Sequence, residues 1–327
     1  MLERRSGKPL ATYAHRGHGM LDNSPEVAVY TDASEESGTT RTLAWRRIWY
    51  DRLCRESCFR CGYHSLMRPG DLTIGDWWGL KSFLPELADL RGVSCAIAST
   101  ERGMELVQGA SDSLDLAVTP STNVANSAQP MLSHPPLRAG RDDFWPPLYE
   151  SGFDGACRAV GVSGLKRFVK DMMKRMLLLK KDESQAFSNT DQAWKEVPTI
   201  NFSKLKNHAK YPVAFAARNR NDEVRRKSSS GGMFHALASH VIDNLGGVVY
   251  GCAFDDNLRA VHIRCETMME AERCMGSKYS QSDMGDSIRM VQTDLAEGRT
   301  VLFTGTPCQV AAVRAVCENV RGGALDC

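Results

Sequence analysis

The sequence lacks any apolar run near the roughly 20 residues that a membrane-spanning helix needs. Its first residues, Met1-Leu2-Glu3-Arg4-Arg5, also lack the apolar core of a signal peptide. Charge of one sign is not in excess, because the formal net charge is only +2, and this gives no reason to expect nucleic acid as a partner. We therefore expect a cytoplasmic protein without a transmembrane segment.

Cysteine, in contrast, is abundant. The chain has 11 cysteines, and this odd number without a secretory signal argues against a disulfide framework. We expect reduced thiols, some of them bound to a metal. Four cysteines have apolar or small neighbours, and we interpret them as buried small side chains: Cys95, Cys252, Cys265 and Cys317. The hydrophobic content of 42% is that of an ordinary soluble protein with one large or two ordinary domains.

Three segments differ in their patterns: 1–160, 161–208 and 209–327. The first mixes short strands with Pro- and Gly-rich connections; it contains a predicted buried strand at 93–98 and predicted irregular surface structure over 110–147. The second begins with an amphipathic helix over 165–181, which we expect to pack on the core rather than lie on a membrane. Residues 182–208 are polar and weakly patterned, which is typical of a linker.

The third segment alternates strands with helices, as an α/β domain does. Strands are predicted at 212–217, 247–254, 260–265 and 300–304. Helices are predicted from 232 to about 244, from about 282 to 297, and from 309 onward. The predicted fold class is therefore α/β, with a mixed sheet and flanking helices.

The most informative pair of residues is Cys58 and Cys61. A Cys-x-x-Cys pair supplies two thiolates at the spacing that a metal or an iron–sulfur cluster needs. Cys308, which follows a predicted strand, and Cys327 would complete a set of four, with Cys54 as the nearest substitute. If the four converge, the protein holds a cluster and transfers electrons. Zinc is the alternative, because the spacing alone does not distinguish the two metals.

Two polar segments precede predicted helices and are candidates for cofactor binding. In the first, hydroxyls, glycines and helical N–H groups suit a phosphate, although a helix N-cap explains them equally well; its residues are Ser228, Ser229, Ser230, Gly231 and Gly232. It is not a Walker A loop, because no Gly-Lys-Ser/Thr follows at that spacing. The second segment, 276–282, contains Lys278, which suits a phosphate or a reduced flavin, and Tyr279, which suits ring stacking. The alternative, which the residues alone favour, is a capped helix start with a solvated lysine.

Together these motifs resemble those of the coenzyme F420 hydrogenase/dehydrogenase beta-subunit family. Ser57–Cys61 and Gly70–Gly79 match the motifs of its C-terminal half. Ser229–Gly232, Gly276–Ser282 and Gly305–Gln309 match those of its N-terminal half. The resemblance covers about 1–160 and 209–327.

The chain also departs from the family pattern. The two halves stand in reversed order, and the chain stops at Leu325-Asp326-Cys327, where the family continues with His-Gly. We interpret this as a circular permutation or a fragment of two adjacent gene copies. The Cys-x-x-Cys-x-x-Cys-x-x-x-Cys-Pro run of the family's ferredoxin-like module is absent.

The resemblance implies a flavin- and iron–sulfur-dependent oxidoreductase in which FAD exchanges a hydride with coenzyme F420 or a related acceptor. A 4Fe–4S cluster held by Cys58, Cys61, Cys308 and Cys327 would pass single electrons to a redox partner subunit or carrier. The two halves would pack around a shared cofactor site. The implied FAD-binding residues are the serine–glycine loop 228–232 together with Lys278, Tyr279, Gln281, Ser282 and Thr306; the resemblance identifies no catalytic residue.

Two other interpretations remain open at the level of sequence. One is a non-catalytic scaffold that is stabilised by zinc or a cluster and binds a partner protein. The other is a truncated or permuted chain without a function of its own. An oligomer is compatible with all three.

Overall fold

The computed structural model describes residues 10–14, 26–30, 39–42, 54–89, 91–127, 130–132, 141–161, 184–317 and 324–326. The chain divides into two compact units. The first is made of Met1–Gly17, Asn23–Cys61 and His134–Ser188, and the second of His18–Asp22, Gly62–Ser133 and Asn189–Cys327. The described residues contain an antiparallel and a mixed four-stranded sheet with helices, which confirms the predicted α/β fold class.

The first unit contains a three-stranded antiparallel sheet in the order β1-β2-β3, formed by Leu10–Ala14, Glu26–Tyr30 and Thr39–Thr42. The helix Trp145–Ala159 bends at Gly152, whose φ of 69° is a left-handed value that glycine adopts without strain. Cys157 of this helix and Phe144, which directly precedes it, are buried in one hydrophobic cluster. A short 3-10 helix, Glu56–Arg60, carries the first cysteine of the Cys-x-x-Cys pair.

The antiparallel sheet of the second unit has the strand order β4-β5-β7-β6. In chain order, β4 to β7 are Leu72–Asp76, Ser94–Ala98, Leu114–Thr119 and Val213–Asn219. β7 belongs to the third sequence segment, yet it pairs with both β5 and β6. Strands from the first and third sequence segments are therefore parts of one sheet.

The mixed sheet has the strand order β11-β10-β8-β9. In chain order, β8 to β11 are Val248–Phe254, Ala260–Cys265, Thr300–Phe303 and Ala324–Asp326. β8, β10 and β11 are parallel, whereas β9 runs antiparallel to β8. The side chains of Tyr250 and Phe303 are fully buried, as expected of strands that are covered on both faces.

The remaining described α-helices are Glu101–Gly109, Ser121–Ala125, Ser184–Glu196, Phe202–His208, Asp222–Lys227, Met233–Ser239, Met268–Glu272, Ser287–Ala296 and Pro307–Cys317. None of the described helices combines the length and the apolar character needed to cross a membrane. One π-helical turn, His240–Asn244, extends Met233–Ser239 and completes the helix predicted from 232 to 244. Gly298, with a left-handed φ of 80°, lies just beyond the end of the helix Ser287–Ala296, where glycine is favoured.

The antiparallel sheet has a hydrophobic core on each face, because two of its strands bury side chains on both faces. Every residue of β5 and of β7 is buried. Ala96 and Phe215 belong to one hydrophobic cluster, whereas Ile97 and Ala216 belong to another, because neighbouring side chains point to opposite faces of a sheet. The apolar run 213–217 of β7 therefore reflects the place of this strand between two packed layers.

Two predicted irregular regions contain regular structure. Residues 110–147 hold strand β6, in which Leu114 and Leu116 are buried on either side of Asp115. Residues 182–208, which we interpreted as a linker, contain the helices Ser184–Glu196 and Phe202–His208. Trp194 is buried, and its Nε1 donates to the backbone oxygen of Leu87 at 3.1 Å. In both regions, contacts with distant parts of the chain stabilise the strand or helix that the weak local sequence pattern did not predict. The predicted helix 165–181 lies outside the described residues.

Two helix boundaries also differ from prediction. The helix expected from about residue 282 begins at Ser287, because Asp283 forms a β-bridge with Val261 and so holds this stretch extended. The helix expected from Gln309 begins at Pro307. Proline is favoured at the first helical position, where its missing N–H costs nothing.

A buried carboxylate organises the polar edge of the antiparallel sheet. The Asp89 side chain is fully buried and accepts hydrogen bonds from Arg91 at 2.8 Å, Arg218 at 3.0 Å and Arg225 at 2.9 Å. Asp191 pairs with Arg91 and Arg218. Burial raises the pKa of Asp89, but the hydrogen bonds and charge of Arg91, with the charge of Arg225, outweigh burial and hold the pKa below its usual range. The three arginines therefore face a carboxylate that stays ionised.

Replacing Asp89 with asparagine keeps the side-chain size but leaves the arginines without their central charge. We expect Asp89→Asn to lower the free energy of unfolding, measured by urea denaturation, by about 3–5 kcal/mol. Because the folded-state pKa is depressed, this part of the stability is present above the ordinary aspartate pKa of about 4 and is lost as the pH falls below it. As the pH falls below about 4, Asp89→Asn should therefore lose less unfolding free energy than the wild type does.

Asp286→Asn is the matched control, because Asp286 pairs with Arg289 on the surface, where both side chains are exposed. We expect it to change the free energy of unfolding by less than about 1 kcal/mol. Equal losses in the two variants would contradict the role assigned to Asp89.

Candidate functional site

Two of the polar segments singled out in the sequence touch each other in the second unit. The backbone N–H of Ser277 donates to the hydroxyl oxygen of Ser229 at 2.7 Å, although the residues are 48 positions apart. Gly276 has a left-handed φ of 80°, and a Cβ atom added to it would lie 3.9 Å from this Ser229 oxygen, with no other described residue beyond its chain neighbours within 4 Å. The serine–glycine loop and the segment 276–282 therefore border one open space.

Two residues of the serine–glycine loop have structural roles. The Ser228 hydroxyl donates to the backbone oxygen of Val224 at 2.7 Å, at the end of a helix. A Cβ atom on Gly231 would lie 2.4 Å from the Ala217 oxygen and 2.7 Å from the Ser94 nitrogen. The packing of Gly231 on β5 and β7 explains this glycine without a ligand, so a side chain there should disturb the fold itself.

Four other residues of the two segments that were predicted to bind the cofactor differ in their exposure to solvent. Gly232 is buried and adopts a left-handed φ of 81° directly before the helix Met233–Ser239. Ser230 and Tyr279 are half-buried, and Gln281 is exposed. The left-handed conformation explains the glycine at 232, because other residues adopt it with strain.

Ser282 and Gln309 join two further motifs around a histidine. Gln309 Nε2 donates to Ser282 Oγ at 2.9 Å, and Ser282 Oγ lies 2.9 Å from His262 Nδ1. His262 Nε2 lies 3.0 Å from the backbone oxygen of Thr304. A carbonyl oxygen only accepts, so Nε2 carries the hydrogen and the Ser282 hydroxyl donates to Nδ1. The hydrogen bonds thus connect the segment 276–282 with the start of the helix Pro307–Cys317.

His262 is a site residue that the sequence analysis did not identify. Its ring stacks on Phe303, with the ring centroids 5.2 Å apart and an interplanar angle of 5°. Burial lowers the pKa of His262, and the hydrogen bond to Thr304 only partly offsets this. The imidazole is therefore neutral near pH 7. Its position in β9 gave no signal, because a single histidine within a strand is compatible with any role.

The Gly-Thr-Pro-Cys-Gln motif has a clear structural role as a helix start. Gln309 Oε1 accepts hydrogen bonds from the Thr306 backbone N–H at 2.9 Å and from its hydroxyl at 3.0 Å. This is the reciprocal half of a capping box, with proline at the first helical position. The Thr306 hydroxyl also lies 3.2 Å from the sulfur of Cys308, which is exposed. The turn presents this thiol to solvent.

Lys278 is a half-buried cation next to thiols. Its Nζ donates to the backbone oxygens of Arg273 at 3.0 Å and Met275 at 2.7 Å. Burial lowers its pKa, whereas the thiols of Cys274 and Cys252 raise it. Two of the three ammonium donors are thus used by backbone oxygens, which leaves one for another acceptor.

The Gly70–Gly79 and Gly305–Gln309 motifs meet at a cavity of about 110 Å³ in the second unit. Residues from both motifs line it, among them Gly70, Thr73, Ile74, Gly305 and Pro307. Typical cofactor pockets have about 300–1,000 Å³. The cavity therefore has room for a small molecule but not for a dinucleotide.

The cysteines predicted as cluster ligands lie in different parts of the chain. Cys58 and Cys61 belong to the first unit, where both are half-buried free thiols. Cys308 is an exposed free thiol of the second unit, and Cys327 lies outside the described residues. Within the part of the chain that the structure describes, no group of three or more His, Cys, Asp or Glu side chains is arranged to hold a metal ion. The four-cysteine cluster stays a prediction.

The four cysteines that we interpreted as buried differ among themselves. Cys95, Cys265 and Cys317 are buried, and burial raises the pKa of Cys95 to about 12. Cys252 is only half-buried. Burial raises its pKa, whereas the charge of Lys278 lowers it. Cys252 therefore belongs to the polar site rather than to the core.

No protein-family model, curated protein or solved structure matches this chain. The resemblance to the coenzyme F420 hydrogenase/dehydrogenase beta-subunit family therefore rests on the sequence motifs alone.

The burial of the His262 imidazole predicts how the free energy of unfolding depends on pH. A histidine whose folded-state pKa is depressed stabilises the fold above its unfolded pKa of about 6.5, and this stability is lost as the pH falls below that value. We expect His262→Gln, which can keep a donor to the Thr304 oxygen, to lose less unfolding free energy than the wild type on acidification from about pH 7 to pH 5. Urea denaturation at each pH measures this.

His208→Gln serves as the control, because His208 is exposed at the end of the helix Phe202–His208. Its pH dependence should equal that of the wild type. A His262→Gln variant with the unchanged wild-type acid loss would show that His262 is not held neutral by the fold.

Proposed function

We propose that this chain is a flavin- and iron–sulfur-dependent oxidoreductase subunit of the coenzyme F420 hydrogenase/dehydrogenase beta-subunit type. The observation that carries the proposal is the Lys278 ammonium group beside the two joined polar loops. The groups that raise its pKa are thiols, and within the described residues it has no carboxylate in an ion pair. A half-buried cation that no carboxylate of the described residues neutralises favours an anionic ligand, and a flavin nucleotide carries phosphates and an anionic reduced ring.

The surroundings of Lys278 fit such a ligand. Gly276 borders open space, and the Ser229–Ser277 hydrogen bond holds the two loops together. Lys278 has one ammonium donor left, and His262 adds no charge to compete with the ligand. A bound FAD would accept a hydride and release its electrons one at a time. The residues of this chain would bind and orient it.

The iron–sulfur part of the proposal rests on the Cys58 and Cys61 pair and on the resemblance. Both are half-buried cysteines that form no disulfide, so their sulfurs are available as thiolate ligands. With Cys308 and Cys327 they would hold the cluster that passes single electrons to a partner subunit or carrier. We further propose coenzyme F420 or a related hydride acceptor as the substrate and the cytoplasm as the location.

Replacement of Lys278 by methionine tests the flavin site, because methionine keeps the apolar stem but removes the charge. A hydrogen bond to a charged group contributes about 1.5–3 kcal/mol, so we expect flavin binding to weaken about 10- to 100-fold. Flavin absorption and release from anaerobically purified protein measure this. Lys204→Met is the control, because Lys204 is exposed in the helix Phe202–His208.

Flavin retention in Lys278→Met equal to that of the wild type would refute the assignment of this site. A colourless wild-type protein with bound zinc would instead support the scaffold interpretation and refute the oxidoreductase.

Replacement of Cys58 or Cys61 by alanine tests the cluster. We expect either variant to lose the iron and the broad visible absorption of the cluster, because each removes one of four thiolate ligands. Flavin content should stay at the wild-type level. Cys317→Ala is the control, since Cys317 is buried in the core of the mixed sheet. Full iron content in Cys58→Ala and Cys61→Ala would exclude both thiols as ligands.

A further inference from the structure

Two thiols of the second unit are in direct contact next to Lys278. The sulfur atoms of Cys265 and Cys274 are 4.0 Å apart. Cys265 is the last residue of β9 and is fully buried, whereas Cys274 follows the helix Met268–Glu272 and is half-buried. The proposed flavin and cluster sites use neither thiol.

The surrounding backbone holds the two sulfurs together. The intervening helix Met268–Glu272 has a complete capping box between Thr267 and Glu270, and the Cys274 N–H donates to the Ala271 oxygen at 2.9 Å. Gly251 in β8 makes room for the second sulfur, because a Cβ atom at Gly251 would lie 2.8 Å from Cys274 Sγ. The contact is therefore built into the turn and not a chance meeting of mobile side chains.

We propose that Cys265 and Cys274 are a redox-active thiol pair that closes into a disulfide on reaction with a low-molecular-weight disulfide. Cys274, the less buried member, attacks one sulfur of the reagent; the sulfur–sulfur bond of the reagent breaks and one thiol leaves with the Cys274 proton. Cys265 then attacks Cys274 Sγ in the mixed disulfide and releases the second thiol. The protein dithiol is oxidised by two electrons, and the reagent is reduced to two thiols.

The disulfide would act on the proposed flavin site through Lys278. The two backbone oxygens that hold Lys278 Nζ belong to Arg273 and Met275, the residues on either side of Cys274. A disulfide needs its sulfurs about 2 Å apart, so Cys274 must move toward Cys265. Oxidation therefore shifts the anchor of Lys278 and the nearby Ser277 N–H. This coupling rests on the proposed function, whereas formation of the disulfide does not.

Tryptic mapping tests the chemistry on the wild-type protein. Trypsin cuts after Arg264, Arg273 and Lys278, so the proposed disulfide joins peptides 265–273 and 274–278, each with one cysteine. We expect this linked peptide after treatment with oxidised glutathione and alkylation of free thiols, and its loss after dithiothreitol. A 228–259 peptide linked to 274–278 would show a bond from Cys252 instead and would overturn the proposal, as would a glutathione adduct on Cys274 that persists.

Single-cysteine variants test whether the disulfide joins Cys274 to Cys265 rather than to Cys252. Cys252→Ser should still give the 265–273/274–278 linked peptide, whereas Cys274→Ser should not. Circular dichroism shows whether each variant is folded, and the wild-type mapping stands without them.

Hydrogen exchange tests the coupling to Lys278. Oxidation should speed exchange in a peptide that contains Ser277, since its N–H donates to Ser229. Unchanged exchange in the cross-linked protein would overturn the coupling. Reduced protein that binds no flavin would count against the proposed function, and the mapping result would be unaffected.

Discussion

The buried carboxylate of Asp89 is the interaction on which the second unit most depends. A carboxylate that is buried away from water needs a compensating positive charge. Three arginines from different parts of the chain supply it: Arg91, Arg218 and Arg225. Arg218 belongs to β7, the central strand that completes the antiparallel sheet, and Arg225 to the helix just before the loop 228–232. The charge cluster thus fixes the end of this strand and the position of the loop at the same time.

The candidate site follows from where this constraint places the loops. The serine–glycine loop meets the next polar segment through Ser229 and Ser277, and that segment meets the third motif through Ser282 and Gln309. His262 lies at the centre of the second contact, neutral and fixed by hydrogen bonds on both ring nitrogens. Thr304, which accepts one of them, directly follows a parallel strand, where ligand sites of α/β sheets usually lie.

Cysteine has several roles in this chain, and its surroundings decide which role each residue has. Cys95 is fully buried in a strand, where burial raises the pKa of its thiol and makes it unreactive. Cys308 is exposed at a helix start. The sulfurs of Cys265 and Cys274 are in contact beside Lys278, so a reaction at one of these thiols affects the other. The sequence neighbours predict that Cys95 and Cys265 are both buried, but not that Cys265 contacts a second thiol.

The sequence by itself determined strands β5 and β7 to β10, because apolar runs and alternation act among near neighbours. It did not predict β11 or the helix starts at Ser287 and Pro307. Only the tertiary structure decided that the Ser- and Asn-rich region contains β6, that Trp194 is buried and that His262 belongs to the site. Each of these depends on a partner far along the chain. No local pattern says which distant residue will supply that partner: Ser229 and Ser277 share a hydrogen bond because the fold brings their loops together.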